Sequence, residues 1–543
     1  MNKKILNKIT ILFLLVTPFL GVAQNNNFFE IAKQIEIFTT LFKEVNMNYV
    51  DDTNPADIMD GAIKTMLNDL DPYTQFYNEQ DVEQARYNQA NDNTGIGANV
   101  LQQKDKLIIV EPYKDYAADR AGLKAGDEII KVNDVSVADF DDDASNLLQG
   151  TPGSEIKITY RRQNKENTVT LKRTALPIKA VPFYGMIGED TGYVVLTKFT
   201  KTASKETLSA IQTLKDEGAT KLVLDLRGNL GGLLNEAVTI VNFFVPKGQL
   251  VVNTKSKIKQ YNNTYVTKNE PFDTEIPLVV LINGRSASAS EIVSGALQDL
   301  DRAVVIGSRS FGKGLVQRPK PLLYGTQMKI TISRYYTPSG RCIQALDYWN
   351  RDENGKATRV KQENANAFKT KNGRTVYDGG GIMPDIDLSI SKANPITKAI
   401  EDDKLIFDFA TDYYYKKPNL NVESFQFSDA DFRNFKSYLK QSNFNFKTKT
   451  EQAFESALDI EDEEAVVSAI QNEYNALKKS IENYKEKSID DDKEKLVELL
   501  TNEIIKRYAY AEGVYEYQIK NDKAIDSAIK LLNKPVEYQK ILK

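Results

Sequence analysis

The chain has 543 residues, with 71 Lys and Arg against 75 Asp and Glu, a single cysteine and no histidine. The missing histidine excludes Ser-His-Asp and Cys-His relays and His-rich zinc sites, and the lone Cys342 excludes an intrachain disulfide, a four-cysteine zinc site and a CxxC redox pair. A formal charge of −4 gives no electrostatic reason for a nucleic acid or anionic membrane as partner, while 41% hydrophobic and 27% charged residues describe a globular chain of about three or four domains.

Lys3, Lys4 and Lys8 precede an apolar run from Ile9 to Leu20, followed by Gly21-Val22-Ala23-Gln24. This pattern predicts a secretory signal peptide cleaved near Ala23, because the run is short of the roughly 20 residues a transmembrane helix needs. From Phe28 to about Gln89, Ile31, Ile35, Phe38, Leu41, Phe42 and Val45 recur at helical spacing, and Asn54-Pro55 and Asp71-Pro72 break the segment into a few short helices. Between Thr94 and Arg173, short β-rich runs separated by Gly, Asp and Asn turns predict one small β module. From Pro177 to Ile390, strands such as Lys221–Asp225, Pro277–Ile282 and Arg302–Ile306 alternate with helices such as Leu233–Val245 and Glu291–Leu300, which predicts an α/β core. Beyond Asn394 the chain is polar, Lys/Glu-rich and helical in its periodicity, with charge runs that read as solvated helix faces.

Without histidine, chemistry falls to Ser, Thr, Lys, Tyr or carboxylates. Asn283 to Glu291 contains Ser286-Ala287-Ser288-Ala289-Ser290 between a buried strand and a helix, where free backbone N–H groups and the helix dipole would stabilise an oxyanion. The same residues fit a purely structural capping box of Ser288 with Glu291. Gly307-Ser308-Arg309-Ser310-Phe311-Gly312-Lys313-Gly314 nearly spells a phosphate loop, yet Gly314 replaces the magnesium-binding hydroxyl, and Pro319 and Pro321 forbid the helix that would hold phosphates. Lys313 is then a candidate general base for a serine, provided its environment lowers the reference pKa of about 10.4 toward about 7 to 8. Gln317 could fix such an amine through its amide oxygen, but four extended residues separate their Cα atoms by about 13 Å, so the segment would have to bend. Leu224-Asp225-Leu226-Arg227-Gly228-Asn229-Leu230-Gly231-Gly232 is a strand-to-helix turn that can present bare N–H groups. Asp190-Thr191-Gly192 matches the aspartic protease triplet, but it lacks a second copy and reads as a turn.

Together, and in this order, these segments resemble the C-terminal processing peptidases, or tail-specific proteases, over most of residues 30 to 390. The resemblance implies that Ser288 is the nucleophile, Lys313 the general base and Gln317 the residue that orients it. It also implies an oxyanion hole from the backbone N–H groups of Ala289 and of a glycine in the Asn229–Gly232 segment, taken as Gly231. Asp71-Pro72-Tyr73-Thr74 and Gly380-Gly381-Ile382-Met383-Pro384-Asp385 are similar to further family signatures. Ala121 to Ile130 resembles the most recognisable stretch of a PDZ domain, with Gly95-Ile96-Gly97 as its carboxylate-binding loop. Thr337 to Gln344 is similar to exported members from Bacteroidetes-type bacteria.

The resulting expectation is a multidomain α/β and α+β chain. Its parts are a signal peptide at residues 1–24, an N-terminal helical region at 25–92, a PDZ domain at 93–175, an α/β serine protease core at 176–390 and a C-terminal α-helical domain at 391–543. Its expected activity is that of a periplasmic serine endopeptidase needing no metal or cofactor, which cleaves exported proteins near their C-termini while the PDZ domain holds an apolar substrate tail. An adaptor protein and a second copy of the chain are further partners left open, as is membrane association. The alternative is a non-catalytic or gated PDZ adaptor with a protease-like core.

Overall fold

The computed structural model describes residues 26–83, 94–103, 105–140, 143–176, 179–353, 355–360, 362–388, 394–442, 444, 446–458 and 468–543. The expected signal peptide lies outside them. Two compact bodies are formed, one of residues 26–77 and 319–330, the other of residues 78–318 and 331–543.

In the first body α1 (Asn26–Asn48) is a single helix of 23 residues, longer than the short helices expected, and is followed by α2 (Pro55–Asn68). The Asn54 side chain caps α2 by accepting the Ala56 N–H at 3.0 Å, with Pro55 entering the first turn, where its missing N–H costs nothing. Asp71 folds the Asp-Pro-Tyr-Thr turn by accepting the N–H groups of Tyr73 and Thr74 at 2.8 and 2.9 Å. Strand β1 (Gln75–Tyr77) then pairs antiparallel with Gln327–Lys329.

The second body begins with the β module. It comprises β2 (Thr94–Gly95), β3 (Ala98–Gln103), β4 (Lys106–Pro112), α3 (Ala117–Arg120), β5 (Glu128–Val132), β6 (Val135–Ser136), β7 (Glu155–Arg162), β8 (Lys165–Lys172) and β9 (Thr174–Ala175). The main sheet runs β3-β4-β5-β7-β8, which leaves β3 at an edge, and it closes over a core that includes Leu107, Ile109, Leu123, Ile129 and Ile158.

The α/β core follows, with β10 (Phe183–Ile187), β11 (Thr191–Val195), α4 (Ala203–Asp216), β12 (Lys221–Asp225), α5 (Leu234–Asn242), β13 (Leu250–Lys255), β14 (Asn263–Val266), β15 (Leu278–Ile282), α6 (Ala289–Asp299), β16 (Val304–Gly307), β17 (Leu315–Pro321) and β18 (Gln327–Tyr336). Two small hairpins come next, β19 (Leu346–Arg351) with β20 (Ala357–Arg359) and β21 (Ala367–Lys369) with β22 (Thr375–Tyr377), before β23 (Ile386–Asp387). The central sheet has the order β10-β11-β12-β15-β16-β23, parallel except for β10.

Because β11, β12, β15 and β16 succeed one another in a single direction across the sheet, right-handed crossovers must place α4, α5 and α6 on the same face. Val194, Leu222, Leu224, Val280 and Val305 meet those helices there. The alternate residues Tyr193, Val223, Val279, Leu281 and Ile306 point to the opposite face. A parallel sheet needs cover on both sides. That cover comes from the end of the chain.

The C-terminal segment consists of α7 (Pro395–Asp402), α8 (Leu405–Lys416), α9 (Asp429–Gln441), α10 (Lys449–Leu458), α11 (Gln471–Asp491), α12 (Lys493–Asn521), α13 (Lys523–Leu532) and α14 (Pro535–Leu542). Ile400, Phe409, Phe435, Leu496, Leu500 and Ile504 build a core of their own. The last two helices do not join it. Ile525, Ala528, Leu531 and Leu532 of α13, with Tyr538 and Leu542 of α14, pack on the open face of the protease sheet. The Tyr538 hydroxyl accepts the Leu278 N–H at 2.9 Å and donates to the Leu278 carbonyl at 3.0 Å. Each fully buried Ile or Leu in this layer contributes about 1.5–3 kcal/mol.

Candidate active site

The three segments singled out in the sequence leave the carboxyl ends of the adjacent parallel strands β12, β15 and β16, the position where open α/β sheets place their reactive loops. Hydrogen bonds join the first two loops. The Gly228 N–H donates to Asn283 Oδ1 at 3.0 Å, the Ala287 N–H to the Asn229 carbonyl at 3.0 Å, and Ser286 Oγ to the Leu226 carbonyl at 2.8 Å.

These bonds separate the three serines. Ser286 and Ser290 are fully buried, and their hydroxyls are spent on backbone carbonyls, that of Ser290 reaching Asn229 at 2.8 Å. Ser288 is half-buried and stands immediately before α6 at φ 56°, ψ −111°, a left-handed conformation costly for a side-chain-bearing residue. Such strain persists only where the surroundings impose it. Here they do so through Glu291, whose Oε2 accepts the Ser288 N–H at 2.8 Å. The Glu291 half of the predicted capping box is therefore present.

Glu291 does more than cap. Completely buried, it accepts the Ser310 hydroxyl at 2.6 Å and the Gly312 N–H at 2.7 Å through Oε1, and the Lys313 N–H at 2.9 Å through Oε2. Burial pushes its carboxyl above the ordinary glutamate value, against the pull of these hydrogen bonds. One carboxylate oxygen thus places the backbone nitrogens of Ser288 and Lys313 within about 6 Å of each other. Tyr335, buried on β18, closes the same arrangement from the other side. Its hydroxyl donates to the Lys313 carbonyl and lies 3.2 Å from that of Ser288.

The glycines around Lys313 are required by close approach. A Cβ on Gly312, at φ 90°, would stand 2.3 Å from the Ala345 Cβ, and one on Gly314 would stand 2.9 Å from the Gln344 nitrogen. The Gly314 N–H donates to Gln344 Oε1 at 2.7 Å, and the Ala345 N–H to the Gly312 carbonyl at 2.9 Å. The segment after Gly307 runs into β17 rather than a helix, so no helix N-terminus faces a phosphate. Regular strand begins only at Leu315, which leaves Lys313 and Gly314 in irregular backbone, as a bend toward Gln317 needs. Gln317 Nε2 donates to Thr331 Oγ1 at 3.2 Å, an orientation that keeps Oε1 as the accepting end of the amide.

Gly231, at φ 101°, lies against the Ser286–Ser290 loop. A Cβ there would stand 2.8 Å from the Ala287 carbonyl oxygen, 2.9 Å from the Ser288 Cβ and 3.0 Å from the Ala289 nitrogen. The Ala289 N–H, in the first turn of α6, has no intrahelical acceptor. The Gly231 N–H instead donates to Asn229 Oδ1 at 2.8 Å, while Asn229 Nδ2 donates to the Leu196 carbonyl at 2.7 Å. Service to an oxyanion would require the Gly231 bond to be exchanged. At the start of this loop Arg227 is gripped by Asp225, with Nη2 to Oδ2 at 2.7 Å, and by Asp522, with Nη1 to Oδ2 at 2.7 Å. Burial works against the Arg227 charge, but Asp225 and then Asp522 outweigh it and hold its pKa well above the ordinary arginine value.

In the β module the carbonyls of Ile96 and Gly97 accept the N–H groups of Ala118 and Tyr113 at 2.7 and 2.8 Å. In trans peptides this turns the N–H groups of Gly97 and Ala98 the other way, beside the open edge of β3. Gly95 lies in β2, paired with Thr174. Asp190 accepts the N–H groups of Thr220 and Lys221 on its carbonyl, at 2.8 and 3.1 Å, in keeping with a turn. Sequence reasoning saw Glu291 only as a cap and missed Tyr335, Asn229 and the Asp225–Arg227–Asp522 group.

Residues 190–348 match Peptidase family S41, residues 94–172 a PDZ domain, and residues 396–532 the C-terminal helical domain of a probable PDZ-protease. The chain is 33% identical over 311 residues to the carboxy-terminal processing protease CtpA of Bacillus subtilis, covering 56% of this chain and 65% of that one. It is 34% identical over 328 residues to the carboxy-terminal-processing protease of Bartonella bacilliformis, covering 59% of this chain and 75% of the relative. The chain thus spans about two thirds to three quarters of the length of these relatives. A solved photosystem II D1 C-terminal processing protease is 26% identical over 66% of this chain and 93% of that one, with a TM-score of 0.37.

Proposed function

The chain belongs to peptidase family S41, among the carboxy-terminal processing proteases with a PDZ domain, and on that premise we propose that it is a serine endopeptidase in which Ser288 and Lys313 perform the chemistry. The carrying observation is the shared acceptor Glu291 Oε2, to which the backbone N–H groups of both residues donate although they lie in loops separated by α6 and β16. Ser288 Oγ attacks the scissile carbonyl and its proton passes to Lys313 Nζ, with Gln317 Oε1 orienting the amine. The tetrahedral oxyanion takes the Ala289 N–H and, once released from Asn229, the Gly231 N–H. Lys313 returns the proton to the departing amine, and water then hydrolyses the acyl-enzyme with Lys313 again as base.

The substrates are proteins or peptides with apolar C-terminal tails, each tail adding to the open edge of β3 and its carboxylate meeting the Gly95–Gly97 loop. Cleavage falls near the substrate's C-terminus. The location is the periplasm, reached through the signal segment. No helix of the described residues is long and apolar enough to cross a membrane. An adaptor or a second copy of the chain remains a candidate partner, and the exposed Phe28, Ile31, Ile35 and Leu41 of α1 favour self-association. The test is cleavage of an unfolded reporter protein by the full chain and by S288A and K313A. Both variants are expected to fold and to be inactive, and wild-type turnover in either overturns the assignment.

A further inference from the structure

Asp522, which belongs to the C-terminal helices and lies far from Ser288 in sequence, reaches the loop that carries Gly231. Its two oxygens do different work. Oδ1 caps α13 by accepting the N–H groups of Ala524 and Ile525 at 2.8 and 3.0 Å, and Oδ2 accepts Arg227 Nη1 at 2.7 Å. On the other flank Asp225 accepts Nε and Nη2 of the same guanidinium at 3.0 and 2.7 Å, and is itself held by the Tyr193 hydroxyl at 2.7 Å. The two side chains of the outer pair are only 20% and 16% exposed, so water screens their attraction weakly.

Gly228, Gly231 and Gly232 all have positive φ, at 74°, 101° and 149°, so the loop turns sharply, and the side chains of Asn229, Asn283 and Ser290 bond to it within the site. Its first residue, Arg227, is held from α13, which is fixed on the protease sheet by the fully or nearly fully buried Ile525, Ala528, Leu531 and Leu532. The loop is thereby tied to a helix that cannot shift without opening the core. Gly231 has little room for error, since a Cβ there would stand 2.9 Å from the Ser288 Cβ and 3.0 Å from the Ala289 nitrogen.

We propose that Asp522 is a positioning residue of the active site, acting through Arg227 to hold the 226–232 loop and its Gly231 N–H in register with Ser288. The C-terminal helices are therefore part of the catalytic apparatus. This rests on the serine–lysine reading above. It predicts an effect on the chemical step, where the oxyanion forms, and little effect on the capture of a substrate tail by a separate module.

The experiment compares the full chain with D522N, R227M and the double variant, and includes S288A as a control. Asn retains the capping oxygen, so the melting temperature of D522N should stay close to that of the wild type. Its kcat on an unfolded reporter protein, and the rate at which a fluorophosphonate labels Ser288, should fall roughly tenfold with KM unchanged. D522E, which restores the carboxylate, should recover part of the loss. In the R227M background D522N should cost nothing further, because the residue it acts through is gone. Wild-type kcat in D522N, or an equal loss with and without Arg227, overturns the inference while an inactive S288A leaves the serine–lysine reading standing. Wild-type turnover in S288A would overturn that reading instead.

Discussion

Ser288 and Lys313 donate their backbone N–H groups to the same oxygen of Glu291, at 2.8 and 2.9 Å. The relationship is between main chains, so it fixes where both side chains start, independently of the rotamers they adopt. Glu291→Gln offers one accepting oxygen to four donors, three backbone N–H groups and the Ser310 hydroxyl, so at least one buried N–H of the arrangement loses its acceptor, at about 1–3 kcal/mol each. Turnover by E291Q should fall by about two orders of magnitude, which corresponds to about 2.7 kcal/mol. Steady-state kinetics on an unfolded reporter reads it, and a loss below about threefold would contradict the role.

The same residue predicts two responses to pH. As a carboxylate Glu291 accepts four bonds, whereas protonation converts one oxygen into a donor. Activity should therefore decline on the acid side at pH values above 4.5, the ordinary glutamate value, because burial raises the folded-state pKa. For stability the sign is opposite. A folded pKa above the unfolded one means that folding favours the protonated form, a contribution fully present below 4.5 and lost as pH rises through the raised value. Thermal melts of wild type and E291Q across pH 4 to 8 should show the wild type gaining relative to the variant as pH falls. A relative gain toward neutral pH would contradict it.

Gly231→Ala should inactivate the protein. The new methyl group meets the Ala287 oxygen, the Ser288 Cβ and the Ala289 nitrogen at 2.8 to 3.0 Å, and φ 101° is strained for alanine. The backbone strain alone is of order 1–3 kcal/mol. Loss of fluorophosphonate labelling together with a lowered melting temperature is expected. Unchanged labelling would show that the loop tolerates displacement.

Gly97→Ala tests the tail site separately. Its Cβ would lie 2.3 Å from the Tyr116 Cβ at φ 77°, which displaces the turn expected to receive the substrate carboxylate. KM for substrates with a free apolar C-terminus should rise with kcat nearly unchanged, and amidating the substrate tail should raise KM for the wild type but not for G97A. Equal KM values for free and amidated tails in the wild type would contradict tail capture there.

Ending the chain at Asn521 removes α13 and α14 and bares Tyr193, Val223, Val279 and Leu281 on one face of the sheet. The truncated protein should aggregate or bind hydrophobic dyes in the cold. A soluble product melting with the full chain would contradict the view that these helices complete the core.

Much of this was legible in the sequence because it is local. The apolar runs Lys221–Asp225 and Pro277–Ile282 are strands with those bounds to within one residue, since periodicity and turn residues settle them without help from afar. The three motifs, each a glycine- or serine-bearing turn after an apolar strand, leave the carboxyl ends of the adjacent strands β12, β15 and β16. Among Ser286, Ser288 and Ser290, however, nothing local chooses, because what distinguishes them is which hydroxyls are consumed by Leu226 and Asn229 in another loop. Tyr335 carries no local signal, and its hydroxyl acquires meaning only when β18 is laid beside the carbonyls of Ser288 and Lys313. The charge-rich C-terminal segment hid two sheet-covering helices, since periodicity shows that a helix has an apolar face but not what that face will cover.

The central claim is that Lys313 activates Ser288. Its most direct test is the pH dependence of fluorophosphonate labelling, read by intact-mass spectrometry for wild type, K313A and S288A. Labelling bypasses tail binding and product release and reports the nucleophile itself. The account predicts one adduct on wild type, mapped to Ser288, formed at a rate that rises from neutral to alkaline pH, with the rise absent and the rate reduced by roughly 10²-fold or more in K313A and no adduct in S288A. An adduct in S288A, or K313A labelling at the wild-type rate with the wild-type pH profile, would contradict it.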